Sequence, residues 1–509
     1  MPVLRDGQVK LEAVERTEIQ PDKEALALIP KELAVKLKIF PLELQEDKLK
    51  ILIGDYVDKN IINDLRFVTH KWVELIKVDP FFILELIEKQ YPQIPSQRER
   101  IENHSSLTFK TYHKDSALEV KQLKQEVEKA PIVKLVNSLI TQAISMGASD
   151  IHLEPFDNEF KVRYRIDGLL NEMETIPKDK KAAVISRLKI MAELDIAERR
   201  RPQDGRIRVE GNEKIIDIRV STLPTDFGEK VVLRILDKSQ LNLELEQLGF
   251  DERRLTLFKE KIKLPYGMIL VTGPTGAGKT TTLYAALNYI KNPDINILTF
   301  EDPIEYNLGG INQSQVKPEI DFTFANALRS FLRQDPNVIM VGEIRDFETM
   351  EIAIRAALTG HLVLSTLHTN DAPSAITRLL DMGAEPFLVS SSVTLVLAQR
   401  LVRRICEKCK AQTEISGEIK EKLGLVNGNP TFYKGSGCPY CNFTGYKGRI
   451  AVFEIMNISE KISELIVKKA TASEIRNQAK KEGMLSLRED AIKKMLLGIT
   501  TAEEVIRET

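Results

Sequence analysis

A chain of 509 residues is long enough for three or four domains with sizeable buried cores. Hydrophobic residues make up 43% and charged residues 29%, globular values that argue against a fibrous or disordered chain. The formal net charge of −1 excludes a global basic field that would draw the chain to nucleic acid or anionic lipid, although a local patch stays open.

No apolar run reaches the roughly 18 residues of a membrane span, and Met1-Pro2-Val3-Leu4-Arg5-Asp6 has no signal-peptide apolar core. The expected location is the cytoplasm, with any membrane role peripheral and through a partner. Residues 1–20 alternate charged and apolar residues without a firm period. From Leu26 to Tyr91 the composition is that of a small folded unit. Ile29–Ala34 reads as a helix start with Pro30 at an early position, Lys48–Gly54 as a strand, and Phe81–Tyr91 as a helix with Phe82, Leu86 and Ile87 on one face. Trp72, the single tryptophan, is expected in its core. No chemistry is visible there, so residues 1–95 read as an interaction domain. Residues 96–129 read as a solvated linker, with Lys121–Lys129 alternating in sign.

A middle unit is expected over residues 130–237. Ile132, Val133, Val136, Leu139, Ile140 and Ile144 give an amphipathic helix. Strands follow near Asp150–Glu154 and Phe160–Ile166, with Asp167-Gly168 as a hairpin turn. A helix is expected over Lys180–Leu194, then strands at Ile215–Val220 and Val231–Ile235. Most of its arginines, such as Arg199, Arg200, Arg201 and Arg206, read as solvated surface. Arg219 and Arg234 differ, because each sits inside a strand among apolar neighbours. A guanidinium placed there can reach phosphate across an interface. Gln240–Gly249 reads as a connector.

The strongest chemical signal is Gly273-Pro274-Thr275-Gly276-Ala277-Gly278-Lys279-Thr280, which fits G-x-x-x-x-G-K-[ST]. Met268–Thr272 before it is an apolar run of the kind that forms a buried parallel strand, and Thr281–Ile290 after it reads as a helix. Strand, glycine turn and helix make an anion site, because backbone N–H groups face the phosphates. Lys279 would reach the β and γ phosphates and the Thr280 hydroxyl would ligate Mg²⁺. Two further apolar strands, Ile295–Phe300 and Asn337–Val341, end in carboxylates: Glu301, Asp302 and Glu305 after the first, Glu343 after the second. Parallel strands deliver such groups to the crevice where ligands bind. Glu343 would hold Mg²⁺, directly or through a water, in place of the usual aspartate. Glu305 is the candidate for orienting the attacking water, with Glu301 and Asp302 supporting the metal shell or holding the loop. The strand Leu362–Leu364 leads to His368, at the place of a γ-phosphate sensor. Arg329 and Arg333, four apart on a helix face, would contact a neighbouring subunit's phosphates or pair with surface acids.

All four cysteines fall in Cys406-Glu407-Lys408-Cys409 and Cys438-Pro439-Tyr440-Cys441. Two C-x-x-C knuckles supply four thiolates, a tetrahedral structural Zn²⁺ set, and their wide separation implies a small inserted subdomain. A redox pair is the alternative, but neither knuckle has a thioredoxin-like setting.

Taken together these motifs resemble the secretion-superfamily ATPases that power type IV pilus assembly and type II secretion, over nearly the full chain. The elements that carry the likeness are Gly273–Thr280, Thr299–Glu305, Gly342-Glu343, His368, the tetracysteine, Arg201–Arg206 and Arg219-Val220-Ser221-Thr222. The resemblance implies an α/β fold: a RecA-like P-loop core (238–405), a preceding PAS-like α/β domain (130–237), a zinc insertion (406–449) and a C-terminal helical part (450–509). It implies catalytic Lys279, Glu305 and Glu343, and ATP bound by Gly273–Thr281 with Arg219, Arg234, Arg329, Arg333 and His368. Mg²⁺ would sit on Thr280 and Glu343, and Zn²⁺ on the cysteines. It further implies a homohexamer, cytoplasmic and held at the inner membrane through a platform protein that the N-terminal and middle domains meet. The superfamily's retraction motors lack the cysteine segment and the long N-terminal region, so pilus assembly is favoured, with type II secretion as the alternative. The cyclic-di-GMP motif that some assembly motors carry is not found over residues 1–60. A nucleic-acid translocase on the same core is the rival from another class. It is opposed by the near-neutral charge and by the lack of an aromatic–basic groove. A scaffold that binds nucleotide without turnover is opposed by the intact lysine and glutamates.

Overall fold

The computed structural model describes residues 130–509 apart from 212–213, 237–243 and 426–429. Before residue 130 it describes 22–29, 34, 39–45, 48–53, 72–78, 83, 86–87 and 108–109. The chain divides into two compact units, 1–105 and 106–509.

In the first unit, the helix Lys23–Leu28 precedes a three-stranded sheet of β1 (Ile39–Gln45), β2 (Lys48–Ile53) and β3 (Trp72–Lys77), in that order. β1 and β2 run antiparallel, β2 and β3 parallel. Of the helix residues expected on one face, Leu86 and Ile87 are buried with Phe40, Leu49, Ile51 and Ile83, while Phe82 lies outside the described residues. The predicted helix start at Ile29–Ala34 falls largely outside the described residues, and Ala34 is helical. The predicted linker lies outside the described residues except for Thr108–Phe109, as does the side chain of Trp72.

The second unit holds two seven-stranded sheets. The first contains β4 (Thr108–Phe109), β5 (Ala148–Pro155), β6 (Phe160–Ile166), β7 (Leu169–Ile176), β8 (Gln203–Gly211), β9 (Lys214–Thr225) and β10 (Gly228–Leu236), in the order β4-β8-β9-β10-β5-β6-β7. Its paired strands are antiparallel. The helix Ala130–Ser145 lays Val136, Leu139, Ile140 and Ala143 against it. The buried Tyr164 of β6 donates its hydroxyl to the Leu139 carbonyl at 2.8 Å, tying strand to helix. The helix predicted over Lys180–Leu194 runs Lys178–Met191. β9 and β10 extend well past their predicted ends. β7 and β8 are further strands outside the expected set; β8 alternates Asp204, Arg206, Arg208 and Glu210 with Gly205, Ile207 and Val209.

The second sheet contains β11 (Gly267–Thr272), β12 (Ile297–Glu301), β13 (Asn312–Gln315), β14 (Val338–Val341), β15 (Leu362–Leu367), β16 (Val393–Ile405) and β19 (Tyr446–Asn457), in the order β13-β12-β14-β15-β11-β16-β19. Every pairing is parallel except β16 with β19. β11 is buried along its whole length. Met268 and Leu270 enter one hydrophobic cluster while Ile269 and Val271 enter the other, so both faces are covered. Each fully buried aliphatic side chain contributes roughly 1.5–3 kcal/mol against exposure, and this doubly covered sheet is the rigid floor of the site. Between β16 and β19, residues from Cys406 on carry β17 (Lys410–Thr413) and β18 (Phe432–Gly435), a two-stranded antiparallel pair. Four helices from Glu460 to Glu508 complete the chain. Among the described residues no helix is long and apolar enough to cross a membrane.

Candidate active site

The glycine loop leaves the end of β11 and opens the helix Lys279–Ile290. Gly278, at φ +85°, caps that helix with no side-chain acceptor. The first N–H groups of the helix have no intrahelical partner and face outward, which is the donor set an anion needs. A side chain at Gly278 would be strained by the left-handed φ, and its Cβ, 2.9 Å from the Gln399 amide nitrogen, would displace that amide. Gln399 itself is 2% exposed on β16. Its amide donates to the Ala277 carbonyl at 2.8 Å and accepts from the Thr282 hydroxyl at 2.7 Å, bracing the loop from below. Lys279 is folded onto its own loop, donating to the carbonyls of Gly273 at 2.7 Å and Pro274 at 3.1 Å. Burial pushes its ammonium down to about 8, with Glu343 opposing and Arg400 assisting the shift. A buried cation held only by carbonyls is an incomplete arrangement that a phosphate would complete.

The neighbouring strand ends converge on this loop. Pro274 to Thr281, Glu301, Asp302, Glu305, Glu343 and His368 line one cleft of about 850 Å³. Thr366 donates to the Gly342 carbonyl at 2.7 Å, and Ile344 N–H to the Thr366 carbonyl at 3.1 Å, which locks the turn after β14 to β15. Asp346 and Asp371 cap the two following helices. Glu343 and His368 therefore sit in short turns between a buried strand and a capped helix. The Glu343 carboxylate is met by Arg345 at 2.6 Å and by His368 Nε2 at 3.5 Å. Burial, followed by the Lys279 charge, lowers the His368 imidazole below its ordinary range. Thr280 and Glu343 offer the hard oxygens that suit Mg²⁺.

The opposite wall comes from the antiparallel sheet, through Asp150, Arg165 and Arg234, with Arg219 and Arg206 beside it on the next strands. Arg206, Arg219, Arg234, Asp150 and Arg165 are register partners on consecutive strands, forming one charged row across five of them. Asp150 accepts from Arg234 at 3.1 Å and faces Arg165 at 3.3 Å. Arg219 donates to the Ile304 carbonyl at 2.8 Å and lies 3.4 Å from the Glu305 carboxylate. Like charges directly opposite in a sheet are destabilising, and Arg206, Arg219 and Arg234 stand in that relation.

The four thiols come together as their spacing suggests. Cys406 and Cys438 Sγ lie 3.8 Å apart, Cys409 and Cys441 3.8 Å, and Cys438 and Cys441 3.7 Å. All four lie within 4.8 Å of one another. A tetrahedron with metal–sulfur bonds of about 2.3 Å has edges of about 3.8 Å, so the set fits Zn²⁺. The separations are far from a disulfide's roughly 2 Å.

Four sequence-predicted residues do not line this cleft: Gly273, Arg219, Arg329 and Arg333. Gly273 lies at the base of the loop with its carbonyl taken by Lys279, and Arg219 reaches only the loop that carries Glu305. Arg329 pairs with the exposed Glu348, and Arg333 donates to the Arg329 carbonyl at 2.9 Å. The pair does not share a helix face, because the helix ends at Phe331 and Arg333 lies beyond its cap. Other residues line the cleft without having been reached from sequence, among them Arg165, Arg345 and Arg400. Arg345 was within reach, two residues after Glu343. Gln399 also carried a signal, as an amide that directly follows the apolar run Leu395–Ala398.

A parallel sheet with a glycine loop at its centre and carboxylates on the adjacent strand ends defines a RecA-like P-loop ATPase. The chain belongs to the family described as type II/IV secretion system protein, whose model matches residues 125–507, and the MshEN domain model matches residues 9–97. It is 47% identical over 501 residues to the type IV pilus assembly ATPase PilB of Myxococcus xanthus, spanning 97% of this chain and 87% of that one. It is 50% identical over 396 residues to the type II secretion system protein E of Pseudomonas aeruginosa, spanning 78% and 79%. The solved structure of the Legionella pneumophila ATPase DotB, 21% identical with a TM-score of 0.55 over 73% of this chain and 94% of that one, has the same fold. The protein is an ATPase of this family, and its nucleotide is ATP.

Proposed function

We propose that the chain is the subunit of a hexameric cytoplasmic motor that hydrolyses ATP to drive type IV pilus assembly, acting on an inner-membrane platform protein. The observation that carries this reading is the extent of the likeness. The PilB relative is matched over 97% of the chain, whereas the protein E relative is matched over 78%. Type II secretion is the second reading, favoured by the 50% identity of that shorter match.

In this reading Gly273–Thr281 bind the phosphates through backbone N–H groups and Lys279 neutralises their charge. Thr280 and Glu343 would hold Mg²⁺, which supplies further charge neutralisation at the transferred phosphoryl group. Glu305 orients the attacking water, and neutral His368 stands ready to donate toward the γ phosphate. Arg219 and Arg234 exchange their present carboxylate partners for phosphate oxygens, drawing the two walls of the cleft together. Release of the product lets the carboxylates recapture them. Arg329 and Arg333, exposed outside this subunit's cleft, are available to the nucleotide of a neighbouring subunit. The cysteines hold structural Zn²⁺, and the division into domains at 95, 129, 237, 405 and 449 belongs to the same reading. Deletion in the source organism, scoring surface pili and secreted proteins together, tests the function. Loss of secretion with intact pili would transfer the assignment to the second reading.

A further inference from the structure

Glu301, at the end of β12 and 3% exposed, lines the cleft as an obvious candidate for metal binding. Its oxygens are already committed. Oε1 accepts from the Thr299 hydroxyl at 2.6 Å and from the Gln313 amide at 3.0 Å, and Oε2 accepts from the Tyr284 hydroxyl. Tyr284 belongs to the helix that the phosphate loop opens and is fully buried. Burial, then the Glu301 charge, holds its phenol well above the ordinary range, so it remains a donor.

Gln313 extends the set into the next loop. The same amide nitrogen donates to the Tyr306 carbonyl at 3.0 Å, while its oxygen accepts the Leu308 N–H at 2.6 Å. The loop from Asp302 to Leu308 is thereby pinned on its far side, with Glu305 in its middle. β13, which carries Gln313, reads Asn-Gln-Ser-Gln and has no apolar residue to anchor it. Its Gln313 amide holds this loop's backbone at Tyr306 and Leu308, beside the burial of Leu308 in the core.

We infer that Tyr284 and Gln313 are positioning residues: through Glu301 they lock the loop carrying Glu305 to the phosphate-loop helix, so that the water-orienting carboxylate and the phosphate site move as one body. Glu301 then acts as a structural acceptor and leaves metal binding to Thr280 and Glu343. The inference rests on the proposed role of Glu305. Small displacements of such a group are costly, because the reaction needs the water within a narrow range of approach.

The test is steady-state turnover and ADP affinity for Tyr284→Phe and Gln313→Met in the full-length protein, with Glu305→Gln alongside. Each bracing variant is expected to lower kcat roughly ten- to a hundredfold while ADP affinity stays within about twofold. Gln313→Met conserves length on a half-buried edge strand, so it supplies a folded variant even if Tyr284→Phe does not. Unchanged kcat in a folded variant overturns the inference. So does a parallel fall in ADP affinity, which would mean that the set merely holds the phosphate loop. If Glu305→Gln keeps full turnover, the reading of Glu305 itself fails. If it loses turnover while the bracing variants keep theirs, only the bracing inference fails.

Discussion

The two walls of the ATP cleft are built on opposite principles. On the phosphate-loop side the groups are backbone amides, a lysine held by carbonyls, and carboxylates in turns locked between buried strands. On the antiparallel side they are long arginines, partly exposed, each lent to a carboxylate that a ligand can replace. The first wall is preorganised and costs little to use. The second is exchangeable, since a guanidinium passes from carboxylate to phosphate with its hydrogen bonds conserved in kind. In the proposed reading the difference assigns affinity to the fixed wall and closure to the adjustable one.

The largest expected effect tests the fixed wall. Lys279→Ala should reduce ATP turnover by a factor on the order of a thousand or more, as read by phosphate release. Survival of steady ATPase in that variant would break the contrast at its root. The adjustable wall comes next. Arg219→Ala and Arg234→Ala should each lower kcat/KM roughly ten- to a hundredfold, the value of charge-assisted hydrogen bonds worth about 1.5–3 kcal/mol. ADP affinity should change far less than in Lys279→Ala, and equal losses of affinity from both walls would erase the distinction.

A third measurement sharpens it through pH. Burial brings the free Lys279 ammonium down to about 8, and bound phosphates raise it again. Below about pH 8 the lysine is charged in both states and affinity is flat. As pH climbs from there toward the raised value of the complex, affinity should fall by up to tenfold per unit. Nucleotide Kd measured from pH 6.5 to 9.5 should show this slope, and Lys279→Arg should remove it. The smallest effect is expected away from both walls. One equivalent of zinc per chain should be found by elemental analysis and be lost in Cys438→Ser. Melting should drop by roughly 5 °C, with ADP affinity changed less than about twofold.

The contrast also explains what could be read in advance. The fixed wall is local in sequence: Gly273–Thr280, the strand before it and the carboxylates after the next strands all stand within short segments. The cysteine knuckles are legible for the same reason. The adjustable wall is not. Arg219 and Arg234 could be singled out as charges inside apolar strands, but their register with Arg206, Asp150 and Arg165 depends on pairing between segments far apart. Nor does periodicity find β13, whose four polar residues lie beside a buried parallel strand. β7 escapes because a register shift opposite Val162 and Arg163 breaks its alternation, whereas β8 is legible, its Asp204, Arg206, Arg208 and Glu210 alternating with the buried Ile207 and Val209. Arg333 misleads for a related reason: a spacing of four implies a shared face only while the helix lasts, and this one stops short.

β16 and β19 remain paired from Leu395–Asn457 up to Ile405–Tyr446. Topologically, the whole cysteine-bearing segment is therefore the loop of a single hairpin. A connection of about 40 residues costs about 2 kcal/mol more in closure entropy than a tight turn of about five. The four thiols sit at the two mouths of that loop, where a clip is most effective at cancelling the excess. The segment is not loosely hung from that hairpin: Leu423 and Phe432 are buried in the same hydrophobic cluster as the parent sheet and the C-terminal helices, so the clip also fixes part of that core.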